Sequence, residues 1–301
     1  MRESSSNLPS VSVVIPNYNG ARTIGDCLSS VLALDYTNFE IVLVDDASTD
    51  ESLAIVRSSF PDIKIIENSK NLGFVRAVNL GIRVSGGEIV VLLNMDTVVR
   101  RDWLKQLVKG LISDREIAIV GSKILDADQR TIQHAGGMLN NNAVAVHLGR
   151  GEADSGQYDR LREVDYVCGA SIGFRRKLLR EIGYLDEGFS PLYYEDTDLA
   201  FRAKRRGYRV VYVPESVLSH HENYSTNGLN ARFYYLFHKG RIRFAIKNYE
   251  FRYLFTGFLK AEVKWFKGFQ PREFRRQLLA AYFANIFSLP KKLFYKKLVK
   301  Q

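Results

Sequence analysis

Two cysteines, Cys27 and Cys168, are all that 301 residues contain, and they stand far apart. That excludes a disulfide-built scaffold and matches no zinc or redox spacing, so two buried thiols in a reducing compartment are expected. No stretch reaches the ~18 apolar residues that a membrane-spanning helix requires. The opening MRESSSNLPS lacks the apolar centre of a secretory signal. A cytoplasmic protein is the expectation. There is no internal repeat. After the first predicted strand there is no glycine-rich phosphate loop with a basic residue, since Asn17-Tyr18-Asn19-Gly20 stands there instead. No motif presents a nucleophilic Cys or Ser.

What is abundant is unevenly placed. The net charge is +10, yet residues 231–301 alone carry 17 Lys and Arg against 3 Asp and Glu, a charge of +14. The same segment holds 19 of the 36 aromatic residues. The other 230 residues hold 26 basic and 30 acidic groups. The chain is thus expected to divide near residue 230 into a near-neutral body and a basic, aromatic extension. Such asymmetry points to an anionic surface as partner.

The body alternates two kinds of pattern. Residues 11–16 (VSVVIP), 39–44 (FEIVLV), 63–66, 88–93 (EIVVLL) and 117–120 are short apolar runs rich in β-branched residues, read as buried strands. Residues 21–34, 50–58, 74–84 and 101–112 have helical apolar spacing. The alternation predicts right-handed crossovers and a mostly parallel sheet with helices on both faces. Residues 121–165 lose the pattern and are read as loops and short strands on an acceptor side. Then follow a strand over 164–174, helices over 175–182 and 196–206, and a strand over 208–213.

Ligands of such sheets bind beyond the carboxyl ends of the strands. Here those ends carry Pro16-Asn17-Tyr18-Asn19, Asp45-Asp46-Ala47-Ser48 and Asn94-Met95-Asp96-Thr97. Helix caps and turns explain some of these residues, Ser48 and Asp50 among them. Asp46 and Asp96 follow fully apolar strands and suit a hard divalent cation, Mg²⁺ or Mn²⁺, with a diphosphate beside it. A second cluster, Glu195-Asp196-Thr197-Asp198, sets three carboxylates at a helix start. Capping needs one of them, and crowding raises a carboxyl pKa toward that of a general base. A third feature is His220-His221, an unusual pair in a chain with only 5 His and a candidate metal ligand.

With these residues in view, the chain resembles the family 2 glycosyltransferases of the GT-A fold, a Rossmann-like nucleotide-diphospho-sugar transferase architecture. It is most similar to their rhamnosyltransferase-like branch. The resemblance covers roughly residues 10–225, in order: SVVIPNYNG, VDDASTD, NLGF, LLNMDT, CGASIGFRR, GYLDEGF, YYEDTDL and the final H-H-E. It implies a catalytic domain over 1–230, with a donor-binding half near 10–120 and an acceptor half near 121–230. Pro16 and Tyr18 would border the nucleobase, and Asp46 would bond it with Asp45 in support. Asn71 and Gly73 would border the donor. Asp96 matches the last carboxylate of the D-x-D metal motif, whose first position is Asn94 here. His220 matches the metal or diphosphate ligand better than His221. Asp196 matches the catalytic base, with Glu195 on the acceptor. The implied reaction is an inverting, single-displacement transfer from a nucleotide-sugar donor, dTDP-rhamnose or a UDP-sugar, to a glycan or lipid-linked acceptor of cell-surface polysaccharide.

Two other functions fit parts of the pattern. A sugar nucleotidyltransferase would share sheet, nucleotide and metal, but has little use for the 195–198 carboxylates. A non-catalytic nucleotide-sugar binding module would not need Asp46, Asp96, Asp196 and His220 together. Residues 231–301 are read as a helical extension associating with an anionic membrane surface at the inner face of the cell membrane. The uncharged residues 277–290 are suited to lie in the headgroup layer. Basic–aromatic mixtures also bind single-stranded nucleic acid, but the sugar-transfer pattern of the body leads us to expect none.

Overall fold

The computed structural model describes residues 8–221, 230–268 and 272–286. Glu222 of the H-H-E motif, residues 287–290 of the uncharged run, and Lys291, Lys292, Lys296 and Lys297 lie outside the described residues.

The first half is the expected βα alternation: β1 Val11–Asn17, α1 Ile24–Leu32, β2 Phe39–Asp45, α2 Ser52–Ser59, β3 Lys64–Glu67, α3 Phe74–Val84, β4 Ile89–Leu93, β5 Thr97–Val99 and α4 Trp103–Ile112. The second half comprises β6 Ile117–Leu125, β7 Ile132–His134, β8 Gly137–Leu139, β9 Ala145–His147, β10 Arg162–Glu163, β11 Ser171–Arg175, α5 Leu178–Ile182, α6 Glu195–Arg205 and β12 Arg209–His220. The main sheet runs β10-β12-β6-β11-β4-β1-β2-β3, with β5 added to β12 and β7 to β6. β3, β2, β1 and β4 are mutually parallel, as the apolar runs predict. All five residues of β4 are buried, which is why its sequence shows no alternation.

Two elements differ from expectation. The strand predicted over 164–174 is only Ser171–Arg175, and it runs antiparallel between β4 and β6. The chain turns at Cys168-Gly169, where the Ser171 N–H bonds the Cys168 carbonyl at 3.1 Å, and leaves 164–170 irregular. The strand predicted to stop at 213 continues to His220. Pro214 cannot donate to a ladder, and a register irregularity between Val213 and Val217 absorbs it. That continuation carries His220 back beside Thr97 of β5. Of the two thiols, Cys27 is buried and Cys168 half-buried.

The extension is helical: α7 Ala231–Asn248, α8 Phe251–Tyr253, a π-type turn Leu254–Phe258, α9 Leu259–Gly268 and α10 Arg275–Ile286. Arg241 of α7 is fully buried, bonds the Asn142 carbonyl at 2.7 Å and pairs with Glu262 of α9. Its guanidinium also covers the Trp265 ring at 4.8 Å. α10 packs on α7 through Leu278 and Ala281, so that face of the uncharged run is core rather than surface. Among the described residues, no helix is long and apolar enough to cross a membrane.

Candidate active site

The ends of β1, β2 and β4 meet on one rim. Asn17 donates to Asp45 Oδ1 at 2.8 Å, and the Ser48 N–H donates to Asp45 Oδ2 at 3.0 Å. Asp45 therefore braces the loops. The Asp46 carboxylate is buried and accepts from Asn68 (2.8 Å), the Leu72 N–H (2.9 Å) and the Gly73 N–H (2.8 Å). It pins the 68–73 loop beneath the rim, and only its Oδ2 keeps spare acceptor capacity. Asn71 lies on that loop, its Oδ1 accepting from the Gly73 N–H at 3.1 Å. Gly73 has φ +85°, and a Cβ there would lie 3.0 Å from Ser190 Oγ and Pro191 Cα, so both backbone and space demand glycine. Pro16 ends β1, and Tyr18 stands 44% exposed at the mouth. The Tyr18 N–H rests on Met95 Sδ at 3.3 Å.

Below that mouth lies a chain of four side chains. Gln133 of β7 donates to Asp126 Oδ1 at 2.6 Å and to the His220 carbonyl at 2.7 Å. Its amide orientation is thus fixed, and its Oε1 faces His220 Nδ1 at 2.9 Å. An amide oxygen only accepts, so Nδ1 carries the proton and Nε2 presents its lone pair. That lone pair faces Asp96 Oδ1 at 3.1 Å. Two acceptors so close require a proton or a cation between them. Asn94 is beside them, its Nδ2 at 3.5 Å from Nε2 and its buried Oδ1 without a partner. Asp96, His220 and the Asn94 oxygen fit a divalent cation that takes its other ligands from phosphate and water. Among the described residues no third His, Cys, Asp or Glu joins them. His221 contributes its N–H to the Asp96 carbonyl at 2.8 Å.

The second cluster opens α6. Tyr193 and Tyr194 precede it with φ +79° and +75°, two left-handed non-glycine residues in succession. Each such residue costs about 1–3 kcal/mol and needs surroundings that dictate it. The Tyr194 hydroxyl is held between the Ala143 carbonyl (2.8 Å) and the Ala145 N–H (3.0 Å). Gly240 of α7 comes so near that a Cβ would lie 2.6 Å from the Tyr193 carbonyl oxygen. This bend delivers Glu195 and Asp196 together. Asp196 accepts from the Gly169 N–H at 2.8 Å, the Thr197 N–H at 2.6 Å and the Thr197 hydroxyl at 3.1 Å. Burial raises its carboxyl pKa. Burial, and then the Asp196 charge, raises Glu195 further, and Glu195 Oε2 has no partner. A Cβ on Gly169 would lie 3.5 Å from Asp196 Oδ2 and 3.8 Å from Glu195 Oε1, so the glycine packs directly against both carboxylates.

The third carboxylate of the run does something else. Asp198 is fully buried and faces α7, bonded to Arg202, Lys247 and Asn248, each at 2.8 Å. Those partners lower its pKa against the burial that opposes them. It is an anchor, which spacing alone could not separate from its neighbours. Gln133, conversely, escaped sequence reading because its role rests on a contact between β7 and the end of β12.

The model of glycosyl transferase family 2 matches residues 12–183 of the chain. The chain is 30% identical over 229 residues to the uncharacterized protein y4gI of Sinorhizobium fredii, covering 72% of this chain and 25% of that protein. It is 24% identical over 209 residues to a poly-beta-1,6-N-acetyl-D-glucosamine synthase of Staphylococcus aureus, covering 69% and 48%. The chain thus spans between a quarter and a half of these relatives' lengths. Among solved structures it resembles GalNAc-T7 with UDP, GalNAc and Mn²⁺ (TM-score 0.67, 19% identity, 92% of this chain and 55% of that one). It also resembles the mannosyltransferase PcManGT of Pyrobaculum calidifontis with GDP-Man and Mn²⁺ (TM-score 0.61, 23% identity, 98% and 81%).

Proposed function

The chain belongs to glycosyl transferase family 2 and is a glycosyltransferase of the GT-A fold, and from that premise we propose an inverting transfer of a sugar from a nucleotide diphosphate to a glycan or lipid-linked hydroxyl. The observation that carries this reading is the pairing of two chemically distinct stations. One is a buried carboxylate pair with raised pKa, Glu195 and Asp196. The other is a two-acceptor contact, Asp96 with His220, suited to a cation beside a diphosphate.

On this reading Asp196 accepts the proton of the acceptor hydroxyl as that oxygen bonds to the anomeric carbon. The bond from that carbon to the diphosphate oxygen breaks, and the configuration inverts. The Gly169 and Thr197 donors aim Asp196, while burial keeps it basic enough to take a proton. Glu195, with its free oxygen, faces the acceptor. Asp96, His220 and Asn94 would hold Mg²⁺ or Mn²⁺. When bound, the cation neutralises charge that grows on the leaving diphosphate. Pro16 and Tyr18 border the base and Asp46 completes its floor, so residues 10–120 serve the donor and 121–230 the acceptor.

The donor we propose is dTDP-rhamnose or a UDP-sugar, in line with the resemblance to the rhamnosyltransferase-like branch and with the UDP beside GalNAc-T7. Assembly of a surface polysaccharide suits the acceptor class, and the S. aureus relative is named as a poly-beta-1,6-N-acetyl-D-glucosamine synthase. The extension supports a place at the inner face of the cell membrane. Phe251, Phe255, Leu259 and Val263 recur every four residues and are 67%, 55%, 44% and 57% exposed. Arg252, Lys260, Lys264 and Lys267 accompany them in the sequence, the mixture expected of an interfacial surface over anionic lipid.

The test is calorimetry of UDP and dTDP with and without Mn²⁺, followed by hydrolysis of a nucleotide-sugar panel. Metal-dependent binding and hydrolysis of one donor are expected. Asp96→Ala should weaken diphosphate binding and remove the metal's effect. Wild-type activity that is equal in EDTA and in Mn²⁺ would overturn the assignment of Asp96 and His220 to a cation.

A further inference from the structure

Three residues the reaction has not used, His134, His147 and Tyr166, pack together. The imidazoles of His134 and His147 meet edge to face at 4.8 Å, and both lie within 6 Å of the Tyr166 ring, at 5.8 and 5.9 Å. Gly137 makes room for that ring, since a Cβ there would lie 2.2 Å from Tyr166 Cε1. The Tyr166 hydroxyl is buried and has no partner.

The hydrogen bonds of the pair fix where its protons are. The Cys168 N–H can only donate, and it points at His134 Nε2 at 3.2 Å. A neutral His134 therefore carries its proton on Nδ1, which lies 3.0 Å from His147 Nδ1. His147 accepts there, so its own proton is on Nε2. Both rings are held neutral, with pKa values lowered chiefly by burial and, among other charges, by Arg150. The result is a donor, His147 Nε2–H, with no hydrogen-bond partner among the described residues, beside an unpartnered phenol.

Their location narrows the ligand. His134 accepts from the N–H of Cys168, the neighbour of Gly169, whose own N–H is bonded to Asp196, and it follows Gln133, whose amide oxygen is bonded to His220. The cluster is therefore tied through one neighbouring residue to each of the base and the diphosphate station. In a single displacement, what must lie between those stations is the sugar whose anomeric carbon is attacked. A pyranose offers hydroxyl groups that both donate and accept, which a phenol and a fixed imidazole N–H can satisfy.

The geometry points to a sugar-recognition subsite in which the Tyr166 hydroxyl and His147 Nε2–H bond hydroxyl groups of the transferred sugar, with His134 holding His147 in the donating tautomer. This rests on the transfer reading above. It assigns donor-sugar choice to β7, β9 and the 164–170 segment rather than to the nucleotide loops.

The experiment compares two calorimetric probes in Mn²⁺: the free nucleoside diphosphate, and the nucleotide sugar that the wild type hydrolyses fastest. Tyr166→Phe removes only the hydroxyl. His147→Asn keeps an acceptor near the Nδ1 position but loses the Nε2–H, whereas His147→Gln restores a donor near it. Tyr166→Phe and His147→Asn should bind the diphosphate within twofold of wild type and the nucleotide sugar about tenfold more weakly, the effect of one lost hydrogen bond. His147→Gln should recover part of that loss. An unchanged ratio of the two affinities would overturn the subsite, as would an equal loss for both probes, which would assign these residues to the diphosphate. If the folded wild type binds no member of the panel, the transfer reading itself fails, and that result is visible before any variant is made. Tyr166→Phe leaves no new unpaired group, so a preserved melting temperature is expected and keeps the comparison interpretable.

Discussion

Replacing Asp196 by Asn tests the proposed base directly, and the structure sets the size of three separate effects. The first is chemical. An amide cannot take the acceptor's proton, and loss of a general base costs about 10²–10⁴ in turnover, which is roughly 3–5 kcal/mol of barrier at 1.36 kcal/mol per tenfold. The second is structural. The two carboxylate oxygens accept from the Gly169 N–H on one side and the Thr197 N–H on the other. Asn has one oxygen, so one of those donors is left facing an NH₂ group, at a cost of about 1–3 kcal/mol in stability. The third is electrostatic. Glu195 is raised partly by the Asp196 charge, so in the variant its pKa falls and residual turnover should reach its plateau at lower pH. Turnover at saturating donor, calorimetric binding of the nucleoside diphosphate, and a melting curve separate the three. The expected outcome is a collapse of turnover, near-normal diphosphate binding and a modest drop in melting temperature. Turnover within a few-fold of wild type would remove Asp196 from the role. A turnover loss matched by diphosphate binding would mean the residue only shapes the pocket.

Glu195→Gln gives a stability test with a definite sign. A carboxyl whose folded pKa is raised binds its proton more tightly folded than unfolded, so stability falls as pH rises from the ordinary carboxylate range through the raised value. The variant should melt with the wild type near about pH 5 and above it near about pH 9, and parallel melting curves would refute the assignment. Asp198→Ala leaves Lys247 with Asp186 and Arg202 with backbone carbonyls as remaining partners, and loss of the buried carboxylate should cost up to about 3–5 kcal/mol. A variant that melts like wild type would show that the α6–α7 contact carries little stability. For the extension, Phe255→Ser with Val263→Ser should weaken co-sedimentation with anionic vesicles and leave turnover of a soluble acceptor unchanged. Equal pelleting of variant and wild type would exclude that stripe as the landing face.

The parallel half of the sheet was legible because β1, β2 and β4 are buried on both faces over most of their length and therefore read as apolar runs. The rim was legible for the same reason, since a carboxylate that ends such a run, Asp46 or Asp96, has no core to serve. What could not be read depends on contacts between distant segments. The extension of β12 past Pro214 hides in a bulge that no propensity marks. Asp198 looks like Asp196 in sequence and differs only in which face of α6 it occupies. Gln133, His134, His147 and Tyr166 come from short strands and an irregular stretch with no period to read. The signals were there only as isolated polar residues among glycines.

The bond network around Asp198 bears on where the protein can be cut. Composition changes at residue 230, and an engineer seeking a minimal soluble enzyme would trim there. That cut would leave Asp198 without Lys247 and Asn248, and Asp186 without Arg243 and Lys247. It would also bare the aromatic rings of Tyr193 and Tyr194, which lean on Phe233, Phe237 and Phe244. The helix that presents Asp196, the proposed base, would then rest on water instead of on α7. A shortened enzyme that keeps its active-site bend has to retain the chain at least through Asn248, and through Glu262 if Arg241 is to keep its counter-ion.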